Sequence, residues 1–192
     1  AALANTVNAT HYTTGTEKIN NYVEIDAALA TVNAAGNEIK TLTVLGKQTV
    51  DATATVPAKV TVTLKDANTK LYIGAEAGAD VTLTVDKDAA LKGTGTVYVN
   101  GTLHANDKSK LTVKDIISDV KSEETKDGKL VRNGWIEYTN IIAALNGAEA
   151  GETITVSKIA TVTDEDGNDV KQYVTIASDI SVKEGVTLVV KD

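Results

Sequence analysis

Residues 51–66 (DATATVPAKVTVTLKD) line up without gaps against residues 177–192 (ASDISVKEGVTLVVKD), and this match is one part of a longer internal repeat. Upstream of each copy stands an apolar stretch of helical character: Ile25-Asp26-Ala27-Ala28-Leu29 in the first, Ile141-Ile142-Ala143-Ala144-Leu145 in the second. Between helix and strands, Ala35-Gly36-Asn37-Glu38-Ile39 aligns with Ala150-Gly151-Glu152-Thr153-Ile154. Each unit reads helix, glycine stop, strands, tight turn, strand, Lys-Asp. A repeated unit of this size cannot bury its apolar face alone, so such chains build a core by stacking unit on unit. The first unit runs on into further strands, whereas the sequence stops at Asp192 after the second.

The spacing of apolar residues gives each segment its type. Ile25, Ala28, Leu29 and Val32 fall at helical spacing, and Gly36 stands where a helix stop is expected. After Gly36 the period changes from 3.6 to 2. Leu42 and Val44, Val50, Val56, Val60-Val62-Leu64, Leu71-Ile73, Val81-Leu83-Val85, Val97-Val99 and Leu111-Val113 are short alternating runs. Turn residues separate them, among them Gly74, Gly78, Gly93-Thr94-Gly95 and Asn100-Gly101. Residues 121–128 (KSEETKDG) form a charged turn with a hairpin signal at Asp127-Gly128. A second helix follows over about residues 138–148, and alternation then returns from Ile154 to Val190. With aromatics at 4% and no Phe, Met or Cys, the core must be made of Val, Ile, Leu and Ala, which suits repeated sheet layers. The expected fold is mostly β, a short-strand β-solenoid or β-sandwich-like stacked sheet with two short helices. Its divisions are an extended arm over residues 1–21, a first helix-plus-β repeat with extra rungs over 22–114, and a second repeat over 115–192.

The order of these motifs, an "AAL" helix, an "AGETITV" entry and then "VTI…ISVKEGVTLVV", resembles the β-helix-like repeats of bacterial surface and S-layer-associated proteins. The stretch from Thr96 to His104 (TVYVNGTLH) is similar to their "VNGTL" rungs. The resemblance covers most of residues 22–192, marks architecture, and implies an extracellular structural or adhesive role without carrying over any catalytic residue. The Ala2-Leu3-Ala4 start has the small-x-small form of a signal-peptide cleavage site, which agrees with an extracellular or cell-surface location.

Charge and residue inventory narrow the chemistry. With a net charge of −7 and a single Arg, Arg132, there is no basic stripe to displace counterions from nucleic acid. No apolar run is long enough to cross a bilayer as a helix. Without Cys there is neither a disulfide framework nor a thiolate metal site. Asp164, Asp166 and Asn168 have the alternating oxygen ligands of a calcium loop, but Asp169 stands where an EF-hand needs Gly and Thr175 where it needs Glu. An acidic hairpin turn explains them better. The two histidines, His11 and His104, lack a partner at metal-ligand spacing and read as surface or edge residues. No Ser sits in a G-x-S-x-G elbow, Asp86 and Asp88 lie in a Lys-flanked turn, and Arg132 is beside a probable turn. The chain is therefore expected to have no catalytic site and no cofactor.

Other features bear on binding. Trp135 with Tyr138, and Tyr98 beyond them, are the candidate contacts for a sugar ring. Asn8-Ala9-Thr10 and Asn100-Gly101-Thr102 are glycosylation sequons. Thr-x-Thr recurs at Thr41/Thr43, Thr61/Thr63, Thr82/Thr84 and elsewhere at uneven spacing, which high strand propensity explains. The leading expectation is a non-enzymatic extracellular subunit of a filament, pilus or surface layer whose partners are copies of itself. The alternative is a polysaccharide-binding adhesin module, and the third is a β-helix carbohydrate-active enzyme. Assembly is expected to join the arm, through Val7, Ala9 and His11, to the open edge and apolar row of Val186, Leu188 and Val190 in a neighbouring copy. The switch from period 3.6 to period 2 predicts a far-ultraviolet circular dichroism spectrum dominated by strand; a spectrum dominated by helix would overturn the fold class.

Overall fold

The structure is a computed structural model that describes residues 5–13, 16–107, 110–157, 160–163, 169–172, 176 and 179–191. The chain opens with β1 (Thr6–Thr13), β2 (Thr16–Tyr22) and α1 (Ile25–Asn33). Next come β3 (Thr41–Leu45), β4 (Lys47–Val50), β5 (Ala54–Val56), β6 (Thr61–Leu64), β7 (Lys70–Ile73) and β8 (Thr82–Val85). The middle holds β9 (Ala90–Val99), β10 (Thr102–Ala105), β11 (Leu111–Ile117), β12 (Val120–Glu123), β13 (Thr125–Lys126), β14 (Lys129–Leu130) and β15 (Ile136–Thr139). Last are α2 (Ile141–Gly147), β16 (Thr153–Ser157), β17 (Ala160–Thr163), β18 (Asp169–Gln172) and β19 (Thr187–Lys191). The chain is mostly β, at 49% strand with two helices.

The strands form two curled sheets and two small hairpins. Within them the period-2 runs stack in parallel register as three ladders. The first joins β3, β6, the start of β9 and β11, setting Leu42, Val62, Leu91 and Leu111 side by side. The second joins β4, β7, the end of β9 and the end of β11, aligning Gln48, Leu71, Val97 and Ile116. The third joins β5, β8 and β10, aligning Ala54, Leu83 and Leu103. Alternate residues of each strand point inward, so Leu42, Leu64, Leu71, Ile73, Leu83, Leu91 and Leu103 are all buried in one core. Full burial of each such side chain contributes about 1.5–3 kcal/mol.

The strand β9 serves two ladders, and its corner requires glycine. Gly93 has φ +119, and a Cβ there would collide with the Leu64 carbonyl; a Cβ at Gly95 would approach the Thr69 carbonyl oxygen to 2.5 Å. The helix α1 closes the open end of the same core with Ile25, Ala28, Leu29 and Val32. It is pinned by Gln48, which occupies an inward position but is satisfied there: the Ile25 N–H donates to Gln48 Oε1 at 2.8 Å, and Gln48 Nε2 donates to the Val23 carbonyl at 2.9 Å.

The amino-terminal segment departs from the expectation of an arm reserved for a neighbouring copy. β1 lies between β2 and β3 of its own chain, antiparallel to both, with Val7 opposite Val44 and Ala9 opposite Leu42. Val7 and Ala9 are fully buried. Only small apolar residues fit where β1 crosses this end of the core, which is why its alternation looks weak in sequence. His11 sits in the same strand, opposite Lys18 of β2.

The repeat is physical, with a shift of three residues in one block. Thr61-Val62 of β6 pairs in parallel with Thr41-Leu42 of β3, and Thr187-Leu188 of β19 pairs in the same way with Thr153-Ile154 of β16. Ile154 thus corresponds to Leu42 rather than to Ile39. Even the turn bonds repeat: the Val60 N–H donates to the Pro57 carbonyl and the Val186 N–H to the Lys183 carbonyl, each at 3.1 Å. The second unit has its own core of Val120, Ile141, Leu145, Ala148, Ile154 and Val156, against which Ile180, Val186 and Leu188 pack. Asp127 (φ 52) and Gly128 (φ 72) make the expected hairpin between β13 and β14. β17 and β18 also pair as a hairpin. Asp164, Asp166 and Asn168 lie outside the described residues.

Leu91→Ala, in the centre of the first ladder, should cost about 2–5 kcal/mol in urea unfolding. Leu130→Ala, at 63% exposure, should change stability by less than about 0.5 kcal/mol. Equal effects from the two would contradict this assignment of inside and outside.

Candidate functional site

A concave surface built from several elements is on the outer face of the second sheet. In β8 and β10 the inward residues Leu83, Val85, Leu103 and Ala105 belong to the core, so Thr82, Thr84, Thr102 and His104 point the other way. β15 continues the face antiparallel to β10, placing Glu137 opposite His104 and Thr139 opposite Thr102. β12 adds Ser122 opposite Glu137. The helix α2 forms one wall through Ala143, Ala144 and Gly147, and Trp135 stands at the other side. The cavity between them measures about 780 Å³. A neighbouring cavity of about 460 Å³ shares Thr82, Thr102, Ala143 and Gly147 with it, which makes one elongated cleft.

A fixed polar row begins on the floor at Glu137 and His104 and continues beyond it. His104 Nδ1 lies 2.9 Å from Glu137 Oε2, and His104 Nε2 lies 3.1 Å from Asn106 Oδ1. Asn106 Nδ2 in turn donates to Asp86 Oδ1 at 3.1 Å. The Trp135 indole stacks on the imidazole, with centroids 5.6 Å apart and 26° between the planes. The backbone N–H of Trp135 donates to Glu124 Oε2 at 3.2 Å, which ties the indole's strand to the preceding hairpin.

The wall is anchored with comparable care. Asp119 Oδ2 accepts from the Ile141 N–H at 2.9 Å and from Asn140 Nδ2 at 3.0 Å, while Asn140 Oδ1 accepts from the Ile142 N–H at 2.9 Å. These bonds satisfy donors that the first turn of α2 leaves unpaired. Burial pushes the Asp119 carboxyl above its ordinary range, against the downward pull of the Ile141 N–H. Burial also raises the Tyr138 hydroxyl, with the Glu123 carboxylate adding to the effect.

The sequence candidates are distributed unequally around this cleft. Trp135 lines it. Tyr138 is on the opposite side of β15, packed against the first core, with the Lys121 ammonium 5.9 Å from its ring centroid. Trp135 and Tyr138 therefore do not share a stacking face. Tyr98 belongs to the second ladder, where it stacks on Tyr72 at 4.7 Å with planes 10° apart, and Lys47 covers the Tyr72 ring at 4.8 Å. His104 is in a central strand, not at an edge, and is half-buried. Its partner Glu137 is 33 residues away in sequence, so no local motif announces the pair.

The remaining candidates have separate surroundings. Asp86 faces Asn106, whereas Asp88 pairs with Lys110 at 2.7 Å and its carboxyl is held below the ordinary value by that hydrogen bond. The two carboxylates thus diverge. Arg132 is exposed in the turn before Trp135. Asn100 Nδ2 donates to the Gly74 carbonyl at 2.9 Å, so the nitrogen of that sequon is part of a turn. Asn8 lies in β1 opposite Thr43. Among the described residues no group of three or more His, Cys, Asp or Glu side chains is arranged to hold a metal, and no helix is long and apolar enough to cross a membrane.

No family model matches the chain, and neither does a curated protein or a solved structure.

A small acidic depression of about 260 Å³ beside α1 contains Glu24, Asp26 and Asp51. Asp26 Oδ2 accepts from the Asp51 N–H at 3.0 Å, but Asp26 Oδ1 is buried without a partner. Burial raises the Asp26 carboxyl above 3.8, and the nearby Asp51 and Glu24 charges add to the rise. A raised folded-state value means that ionising Asp26 weakens the fold, so stability falls as pH rises through that value. Asp26→Asn should therefore raise the melting temperature at neutral pH. The gain should disappear at pH below the ordinary carboxylate value, where the native carboxyl is already protonated. A gain that persists at low pH, or a loss at neutral pH, would contradict the electrostatic account.

Proposed function

We propose that the chain is an extracellular structural module whose core is a short three-faced β-solenoid and which joins copies of itself by adding strand to strand. The solenoid reading is supported by the order of the ladders. The chain passes through the first, second and third ladder in turn, three times over, and β11 adds to the first and second again. The assembly reading is carried by one observation. β6 is covered on its far side by β9, while among the described residues its counterpart β19 is at a border of its sheet.

The exposed side of β19 can be specified atom by atom. The Thr187 N–H donates to the Glu152 carbonyl on the β16 side. Because backbone directions alternate along a strand, Leu188 and Val190 direct their N–H and carbonyl groups outward. Val190 is also 69% exposed. An open edge of this kind recruits another strand unless charge or proline blocks it. The partner is then β2, a border strand of the first sheet, and not the buried β1. Ile19 in β2 and Val23 just beyond it are 55% and 79% exposed. β2 and β19 are different surfaces, so their pairing is head-to-tail and propagates into a filament or layer. Each backbone hydrogen bond adds about 0.5–1.5 kcal/mol, which makes a single contact reversible and a long array cooperative.

Val190→Pro removes an outward N–H and leaves the β16 pairing intact. The native protein should form polymers visible by electron microscopy, and the variant should remain monomeric with its thermal unfolding unchanged. Polymers that persist in the variant, or a native protein that stays dispersed at high concentration, would reject this mode of assembly.

A further inference from the structure

We propose that the elongated cleft between α2 and the outer face of the second sheet binds a neutral glycan chain, with Trp135 as the stacking platform and the Glu137 carboxylate, held in place by His104, as the hydrogen-bond acceptor. This goes beyond self-assembly and uses a different surface from β2 and β19.

Three observations carry it. A sugar ring has apolar C–H faces and a rim of hydroxyls that both donate and accept, so its sites combine an aromatic plane with fixed polar groups. The cleft holds that combination: an indole beside the Glu137 carboxylate, with a floor of Thr82, Thr84 and Thr102. The polar row is already held in place by the hydrogen bonds from Glu137 through His104 and Asn106 to Asp86, so little side-chain freedom is lost on binding. The two joined cavities of about 780 and 460 Å³ suit a chain of several sugars.

Charge and backbone geometry narrow the ligand. Glu123, Glu137 and Glu152 line the larger cavity, and among the described residues no Lys or Arg does, which disfavours uronic acids, sulfated sugars and phosphates. A peptide would need either a free strand edge or deep apolar pockets. β8, β10 and β15, which carry the threonine floor, each have neighbours on both sides, so no strand can be added along that floor.

Trp135 is the only tryptophan, so its fluorescence reports on this cleft alone. The probes are soluble four- to six-sugar fragments of β-glucan, xylan, mannan and chitin, with polygalacturonate as the anionic comparison. At least one neutral fragment should shift the emission and give a saturable calorimetric titration. Glu137→Gln should weaken that binding about tenfold, and Trp135→Ala should weaken it by a larger factor in calorimetry. Tyr98→Phe, in the second ladder, should leave it unchanged. If Trp135→Ala unfolds, Glu137→Gln still decides the matter, because the substitution keeps the size of the side chain. No emission change with any neutral fragment, binding of polygalacturonate alone, or undiminished affinity in Glu137→Gln would each overturn the proposal.

Discussion

Parallel, in-register pairing along β9 is the constraint on which the rest of the structure depends. This strand holds a central place in two ladders, with β6 along its first half, β7 along its second and β11 across both. Because side chains alternate with period 2, a slip of one residue in β9 would turn Leu91 and Val97 outward and bring Lys92 and Tyr98 into the core. The glycine corner at Gly93 and Gly95 fixes where the first half ends and the second begins. The ladders also explain the composition. Rungs stacked one strand width apart favour residues that repeat side by side without clashing, which Val, Leu, Ile and Ala do and bulkier groups do less well.

The two repeats are covered differently among the described residues. Over the first, α1 and β1 close the core, with Gln48 supplying both a donor and an acceptor where the helix meets the ladder. In the second, β16 and β19 rebuild the first rung in its original register, and β19 stands at the border of the sheet. A covered edge contributes stability, while an open one contributes a place for another strand. The same second repeat supplies α2, whose first turn is held by Asp119 and Asn140 over the outer face of the sheet. Repetition therefore creates both an edge and a cleft that a single unit lacks.

Much of this was legible in the residues. The inward row of nearly every strand followed from alternation, because Val62 and Leu64 or Leu83 and Val85 are separated by polar residues that face away. The Asp127-Gly128 turn carried its own conformational signature. What escaped local reading depended on distant partners. β1 looked like a loose arm because its only apolar groups are Val7 and Ala9, and their burial comes from β3, more than thirty residues on. Trp135 and Tyr138 looked like a pair, but in a strand an odd separation of three places them on opposite sides. His104 gains its meaning from Glu137, which pairing between β10 and β15 brings across the sheet. The block around Ile154 aligned with Ile39 by letter and with Leu42 by register, since the strand ladder and not the glycine sets the equivalence.

The central claim is that the outward backbone of β19 joins copies together, and amide hydrogen exchange read residue by residue measures it most directly. In dilute protein the Leu188 and Val190 amides should exchange quickly, while the Leu91 and Val97 amides of β9 exchange slowly under the same conditions. On raising the concentration until polymers form, protection should rise at Leu188 and Val190 and in β2, and stay unchanged in β9. Polymers in which Leu188 and Val190 exchange as fast as before would contradict the account.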